Sequence, residues 1–151
     1  MRLFFNIFAI CGAAAFSGLM LCIGITLGNY WLSLTSQDFL DWFSKNHIFI
    51  SKTIPLVVTP TIIGLFGSLW TSWHTKLKPF WLWVTSTSCI GVVIVLTAIY
   101  FVPTNHAFAS GNLDLLQVNE KLNQWLLIHY IRIAFAMLSA IIGSMALALD
   151  R

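Results

Sequence analysis

The amino-acid sequence predicts an all-α membrane protein, a bundle of four transmembrane helices, on three observations. First, 58% of the 151 residues are hydrophobic and 9% are charged, with a mean hydropathy of +0.85. A soluble domain of this size has too little interior to hide that much apolar surface. Second, the apolar residues fall in four charge-free runs: Leu3 to Leu34, Thr53 to Trp73, Pro79 to Pro103, and Ile133 to Leu149 with Trp125 to Tyr130 leading into it. Each is near or beyond the roughly 20 residues with which a helix crosses about 30 Å of hydrocarbon. Third, the runs are continuous, whereas strands of a membrane barrel alternate and stop after about ten residues.

The first helix is expected at 5–32. Arg2, an apolar stretch and Ala13-Ala14-Ala15 resemble a cleaved secretory signal, but the run continues to Leu34, which favours an uncleaved helix. Small residues at Ala14, Gly18 and Cys22, and separately at Gly24 and Gly28, allow a second helix to approach closely. The second helix is expected at 53–73, where Pro55 and Pro60 bend it and Thr59 can take up a freed backbone bond. The third is expected at 80–102, ending at Pro103. The fourth crosses the membrane at 125–149, and its helical pattern starts earlier, at 113. Asn112 can cap it, and Leu115, Val118 and Leu122 continue the spacing that leads into Trp125. A helix over 113–149 is about 55 Å long and extends beyond the bilayer.

Two longer connections, Ser33 to Lys52 and Val102 to Gln124, emerge on one side and are expected to cap the bundle there. The first contains Asp38 to Phe43 as an amphipathic turn. Trp70, Trp73, Trp81 and Trp83 mark one membrane interface, and Tyr30, Trp31, Tyr100, Trp125 and Tyr130 the other. Arg2, Lys76, Lys78 and Arg151 lie on one side against Lys45, Lys52, Lys121 and Arg132 on the other. The short loop 74–79 is purely basic and Arg132 can be drawn into the bundle, which favours a multi-pass protein with both termini cytoplasmic. The net charge of +3 forms no clustered basic face, so nucleic acid is not an expected partner.

Chemistry concentrates in W-x-x-x-H-x-x-R, formed by Trp125, His129 and Arg132. Spacings of four and three put the trio on one helix face, above the small residues Ala136, Ser139 and Gly143 that mark that face as turned toward the bundle. Counting back from Asp150 leaves Arg132 only about 3 Å inside the hydrocarbon edge. One reading is an arginine that snorkels to headgroup phosphates. The other is an inward arginine that needs a carbonyl, a carboxylate or a ligand oxygen as partner. Beyond Pro103, Asn105 is expected at the level of His129, able to donate and accept.

The pairing of P-x-N (Pro103, Asn105) with W-x-x-x-H-x-x-R (Trp125, His129, Arg132) resembles the anthrone-oxygenase-like family of small four-helix membrane proteins, much of it a domain of unknown function. The likeness covers nearly the whole chain in layout. Fungal relatives are associated with oxidation of anthrones to anthraquinones, so the resemblance implies an oxygenase acting on a lipophilic aromatic, anthrone- or quinol-like substrate. The family position matching His129 also takes Asn, which implies a hydrogen-bonding role there and casts doubt on an obligatory base. On this reading His129 and Arg132 are catalytic, and Asn105 and Trp125 bind substrate. The ring stacks near Trp125, His129 accepts a proton, and Arg132 with Asn105 stabilises the oxyanion that reacts with oxygen.

Other chemistries find less support. His47, His106 and His129 can all lie toward the capped side, yet their spacings match no compact metal or haem motif, so no metal site and no cofactor is expected. His74, beside Lys76 and Lys78, reads as solvated. Cys11, Cys22 and Cys89 lie in apolar runs without a C-x-x-C pair and read as buried packing thiols. The competing function is a non-enzymatic membrane accessory, lipid-binding or scaffold protein, with lipids around it and a homo-oligomer or membrane subunit as further partners.

Overall fold

A computed structural model describes residues 1–73 and 77–149; His74, Thr75 and Lys76 of the segment expected as a basic loop, and Asp150 and Arg151, lie outside the described residues. Four helices long and apolar enough to cross a membrane make up the described chain: α1 Arg2–Ser33, α2 Ser36–Ser72, α3 Leu77–Ser110 and α4 Leu115–Leu149. At 32 to 37 residues each, they are about 48–55 Å long. All four therefore exceed the roughly 30 Å that hydrocarbon requires.

The two capping segments are helical continuations, not loops. Thr35 caps α2, its hydroxyl oxygen accepting from the Asp38 N–H at 3.2 Å, so 36–52 joins the expected second helix without a break. Its apolar residues keep helical spacing: Phe39, Leu40 and Phe43 are buried there. Helix α3 likewise runs through Pro103 to Ser110 instead of ending at 102. Gly111 then reverses the chain in the left-handed region at φ 66°, where glycine carries no Cβ penalty. Asp114, not Asn112, caps α4: its Oδ1 accepts from the Leu116 N–H at 3.1 Å, and the helix starts at Leu115 rather than 113.

Two cores fill the bundle. Near the turns at 34–35 and 111–114, Trp31, Phe39, Phe43, Phe101, Phe108 and Trp125 pack with Val118 and Leu122. Toward the termini, Phe16, Met20, Leu65, Trp83, Ile90 and Val93 surround Ala136 and Ala146. Trp70, Trp73 and Trp81 are exposed, as expected of interfacial rings, but Trp31, Trp83 and Trp125 are core residues. The helical continuations provide enclosed space at the capped end, so Trp31 and Trp125 bury there in place of joining a belt, while Trp83 packs into the core toward the termini. Cys89 is buried, whereas Cys11 and Cys22 are exposed on the outward face of α1. A thiol suits an apolar surrounding as well as a packed core.

Close approach of α1 to its neighbours depends on absent side chains. A Cβ on Gly64 would collide with the backbone of Phe8 and Ala9. The pair Gly24 and Gly28 does the same for α4, where a Cβ would stand 3.0 Å from His129 Cδ2 and 2.6 Å from Leu126 Cδ2. Ala136, Ser139 and Gly143 all face inward, and Ser86 donates to the Ser139 carbonyl at 2.8 Å. The W-x-x-x-H-x-x-R face is thus the bundle-facing side of α4.

Candidate functional site

Two π-helical turns shape the capped half, Ile23–Leu27 in α1 and Thr97–Phe101 in α3. In them the Gly28 and Val102 N–H groups reach back five residues, to Ile23 and Thr97. Each turn holds one residue more than an α-turn, which re-aims side chains beyond it and leaves a carbonyl to be satisfied elsewhere. The Tyr130 hydroxyl donates to the Gly24 carbonyl at 3.4 Å. In α3 the wide turn directly precedes Pro103, which has no N–H to donate, and so the helix passes the proline intact.

Between these turns lies a cavity of about 230 Å³, walled by all four helices. Met20, Ile23 and Trp31 contribute from α1, Phe101 and Asn105 from α3, and Trp125, His129 and Arg132 from α4. The α2 wall runs from Phe43 and His47 to Ile54 and Pro55. Ser51 and Pro55 on α2 and Val102 on α3 are exposed wall residues, so the cavity opens between these two helices. Its volume falls below the roughly 300–1,000 Å³ of drug-sized ligand pockets, enough for one small flat molecule and too little for a two-chain lipid.

Trp125, His129 and Arg132 stand in a column. The Trp125 and His129 rings stack at 4.7 Å with 14° between planes, and Phe101 packs edge-on against both. His129 Nε2 donates to the Met20 carbonyl at 2.9 Å. Its Nδ1 is buried and has no partner among the described residues. Arg132 is 4% exposed, and its guanidinium carbon lies 3.9 Å from the Phe101 ring centroid. Among the described residues its side chain makes no hydrogen bond or ion pair, and Nε is buried unsatisfied. The guanidinium therefore turns into the bundle, not outward to headgroups. A stacked ring offsets the desolvation of a cation by about 2 kcal/mol, less than the several kcal/mol that burying an unpaired ion costs.

Asn105 meets this column one turn nearer the cap than expected. Its Oδ1 accepts from Trp125 Nε1 at 2.8 Å, so it fixes the indole instead of standing level with His129. Trp31, expected at a membrane interface, and His47, expected on the capped side without a ligand motif, both line the cavity. Trp31 Nε1 is a second buried donor without a partner among the described residues. Its ring touches those of Phe43 and Trp125. His47 stacks on Phe43 at 5.7 Å and 7°, while its Nδ1 donates to the Phe43 carbonyl at 2.9 Å. The spacing of Phe43, His47, Ile50 and Ile54 on one helical face was the available signal. The charges Lys45 and Lys52 within it disguised the segment as a loop. His106, by contrast, is exposed and away from the cavity wall, and no group of three His, Cys, Asp or Glu side chains among the described residues is placed to hold a metal ion.

The fold and site define a class: a small four-helix membrane protein with an aromatic, cationic cavity in its capped half. The family model described as anthrone oxygenase matches residues 39–142, from the capping part of α2 to the last turns of α4, and so takes in every cavity residue except those of α1. The chain belongs to the anthrone oxygenase family. No curated protein and no solved structure matches it.

Proposed function

We propose that the protein is a membrane oxygenase that converts a flat, lipophilic anthrone-type substrate to the quinone with dioxygen as oxidant. The observation that carries this reading is the buried Arg132 guanidinium, unpartnered among the described residues and facing a cavity whose other walls are mostly apolar and include the rings of Trp31, Phe43, Phe101 and Trp125. An inward cation of this kind is complementary to an oxyanion. In an anthrone, loss of one methylene proton creates that oxyanion at the ketone oxygen. Arg132 stabilises it, and the rings of Trp125 and Phe101 hold the aromatic skeleton, with Asn105 fixing the Trp125 indole. The electron-rich anion transfers one electron to dioxygen and the radical pair recombines as a C–O bond, giving a hydroperoxide after proton uptake. Loss of the second methylene proton with cleavage of the O–O bond forms the new ketone and water. Two C–H bonds break, and both oxygen atoms are accounted for, one in the carbonyl and one in water.

An imidazole on the cavity wall accepts the proton in this scheme, and substrate reaches the site from the lipid through the opening between α2 and α3. With the termini cytoplasmic, that opening belongs to the outer leaflet. The test is turnover of a dihydroxyanthrone by the purified protein in lipid nanodiscs, followed by oxygen uptake and quinone absorbance. Wild type should exceed the protein-free rate, and Arg132→Gln should lose about 10²–10³ of that gain, as when an oxyanion donor is removed. Binding of the probe without any acceleration would favour a non-enzymatic binding protein.

A further inference from the structure

Two imidazoles line the cavity, His129 from α4 and His47 from α2, and hydrogen bonds fix the tautomer of each. A carbonyl oxygen can only accept, so the nitrogen facing it carries the proton. His129 is protonated at Nε2, bonded to Met20, and has its lone pair on Nδ1. His47 is protonated at Nδ1, bonded to Phe43, and has its lone pair on Nε2. Only one of these lone pairs is open. His129 Nδ1 is sealed from contact, and the Trp125 ring lies flat on the imidazole. His47 is half-buried, and its Nε2 has no protein partner among the described residues. It shares the α2 wall with the exposed residues Ser51 and Pro55 at the mouth.

Resting on the oxygenase reading, we propose that His47, not His129, is the base that takes the methylene proton. In that step the substrate C–H bond breaks and an N–H bond forms at His47 Nε2. The electron pair stays with the substrate and is held as an enolate by Arg132. Charge favours this division of labour. A proton placed on His129 would create a second buried cation one turn from Arg132, in a cavity with no Asp or Glu on its wall, and like charges at that spacing repel. A proton on His47 is across the cavity, on a segment where Ser44, Lys45 and Ser51 are exposed, so it can pass to water between turnovers. The second methylene proton leaves by the same route and ends in the water formed when the O–O bond breaks. His129 is then a positioning residue: anchored on the Met20 carbonyl, it supports the Trp125 ring from below.

The experiment compares full-length wild type, His47→Gln, His47→Gly and His129→Gln in nanodiscs, with a dihydroxyanthrone carrying hydrogen or deuterium at its methylene and a hydroxyanthraquinone as binding probe. For His47→Gln, kcat should fall by about 10²–10⁴, the usual contribution of a positioned base, while probe affinity holds and a primary deuterium isotope effect grows. Added imidazole should restore turnover to His47→Gly, and His47→Asn serves the same comparison if the glycine variant does not insert. His129→Gln should weaken probe binding and show no rescue by imidazole. The proposal is overturned if wild type turns over and His47→Gln keeps its kcat, or if imidazole rescues His129 variants instead. Wild type that binds the probe and never oxidises the anthrone would sink the oxygenase reading itself, and the assignment of a base with it.

Discussion

Replacing Arg132 by methionine should stabilise the ligand-free protein while destroying its activity. Arg132 is 4% exposed, and its guanidinium touches Phe101 and has no hydrogen bond or ion pair among the described residues. Its burial is offset only by the ring, at about 2 kcal/mol, and methionine recovers part of that through sulfur–aromatic contact, about 0.3–1.5 kcal/mol. Exchanging buried ionic groups for apolar ones of similar volume commonly gains about 1–4 kcal/mol. A net gain of about 1–2 kcal/mol follows, or several degrees in melting temperature at roughly 2–4 °C per kcal/mol for a chain of this size. The assay is thermal denaturation in one detergent, with and without an ionisable hydroxyanthraquinone. Ligand at 100 times its Kd should add about 2.7 kcal/mol to wild type and far less to Arg132→Met. A fall in the melting temperature of the ligand-free variant would mean instead that the guanidinium already has a partner of comparable strength, and that Arg132 is not an uncompensated buried cation.

Three further outcomes follow from the geometry. Asn105→Leu removes the acceptor of the Trp125 indole and should cost about 1–3 kcal/mol; Trp125→Phe in the same background should add little, so a double-mutant cycle of melting temperatures reads the coupling directly. Gly24→Ala places a methyl group 3.0 Å from His129 Cδ2, pushing the ring off the Met20 carbonyl; probe affinity should drop more than stability does. Gly64→Ala drives a Cβ into the backbone of Phe8 and Ala9, separating α1 from α2, and should lower the melting temperature by the most of the three, with loss of at least the 1–3 kcal/mol typical of overpacking.

The transmembrane bundle was legible because four charge-free runs leave a helix no cheaper alternative in lipid. The capped half was not, and the reasons are local. Asp38, Asp41, Lys45 and Lys52 interrupt the hydropathy of α2, although Phe39, Phe43 and His47 continue its helical face. Pro103 signals a stop, yet the π turn at Thr97–Phe101 absorbs the missing N–H and α3 carries on to Ser110. The column of Trp125, His129 and Arg132 could be read from spacing alone, since four and three residues define a face on any helix. The bond from Trp125 to Asn105 and the shared cavity of His47 with His129 depend on how far α3 and α2 extend past the membrane. That extension is a property of packing between helices, written in no single segment.

The most direct measurement is a structure of the protein in nanodiscs with a hydroxyanthraquinone bound. The ionised oxygen should lie within hydrogen-bond distance of the Arg132 guanidinium, with the rings against Trp125 and Phe101 and the far edge facing His47. A probe bound elsewhere, or a guanidinium occupied by a lipid phosphate with the cavity empty, would contradict this placement.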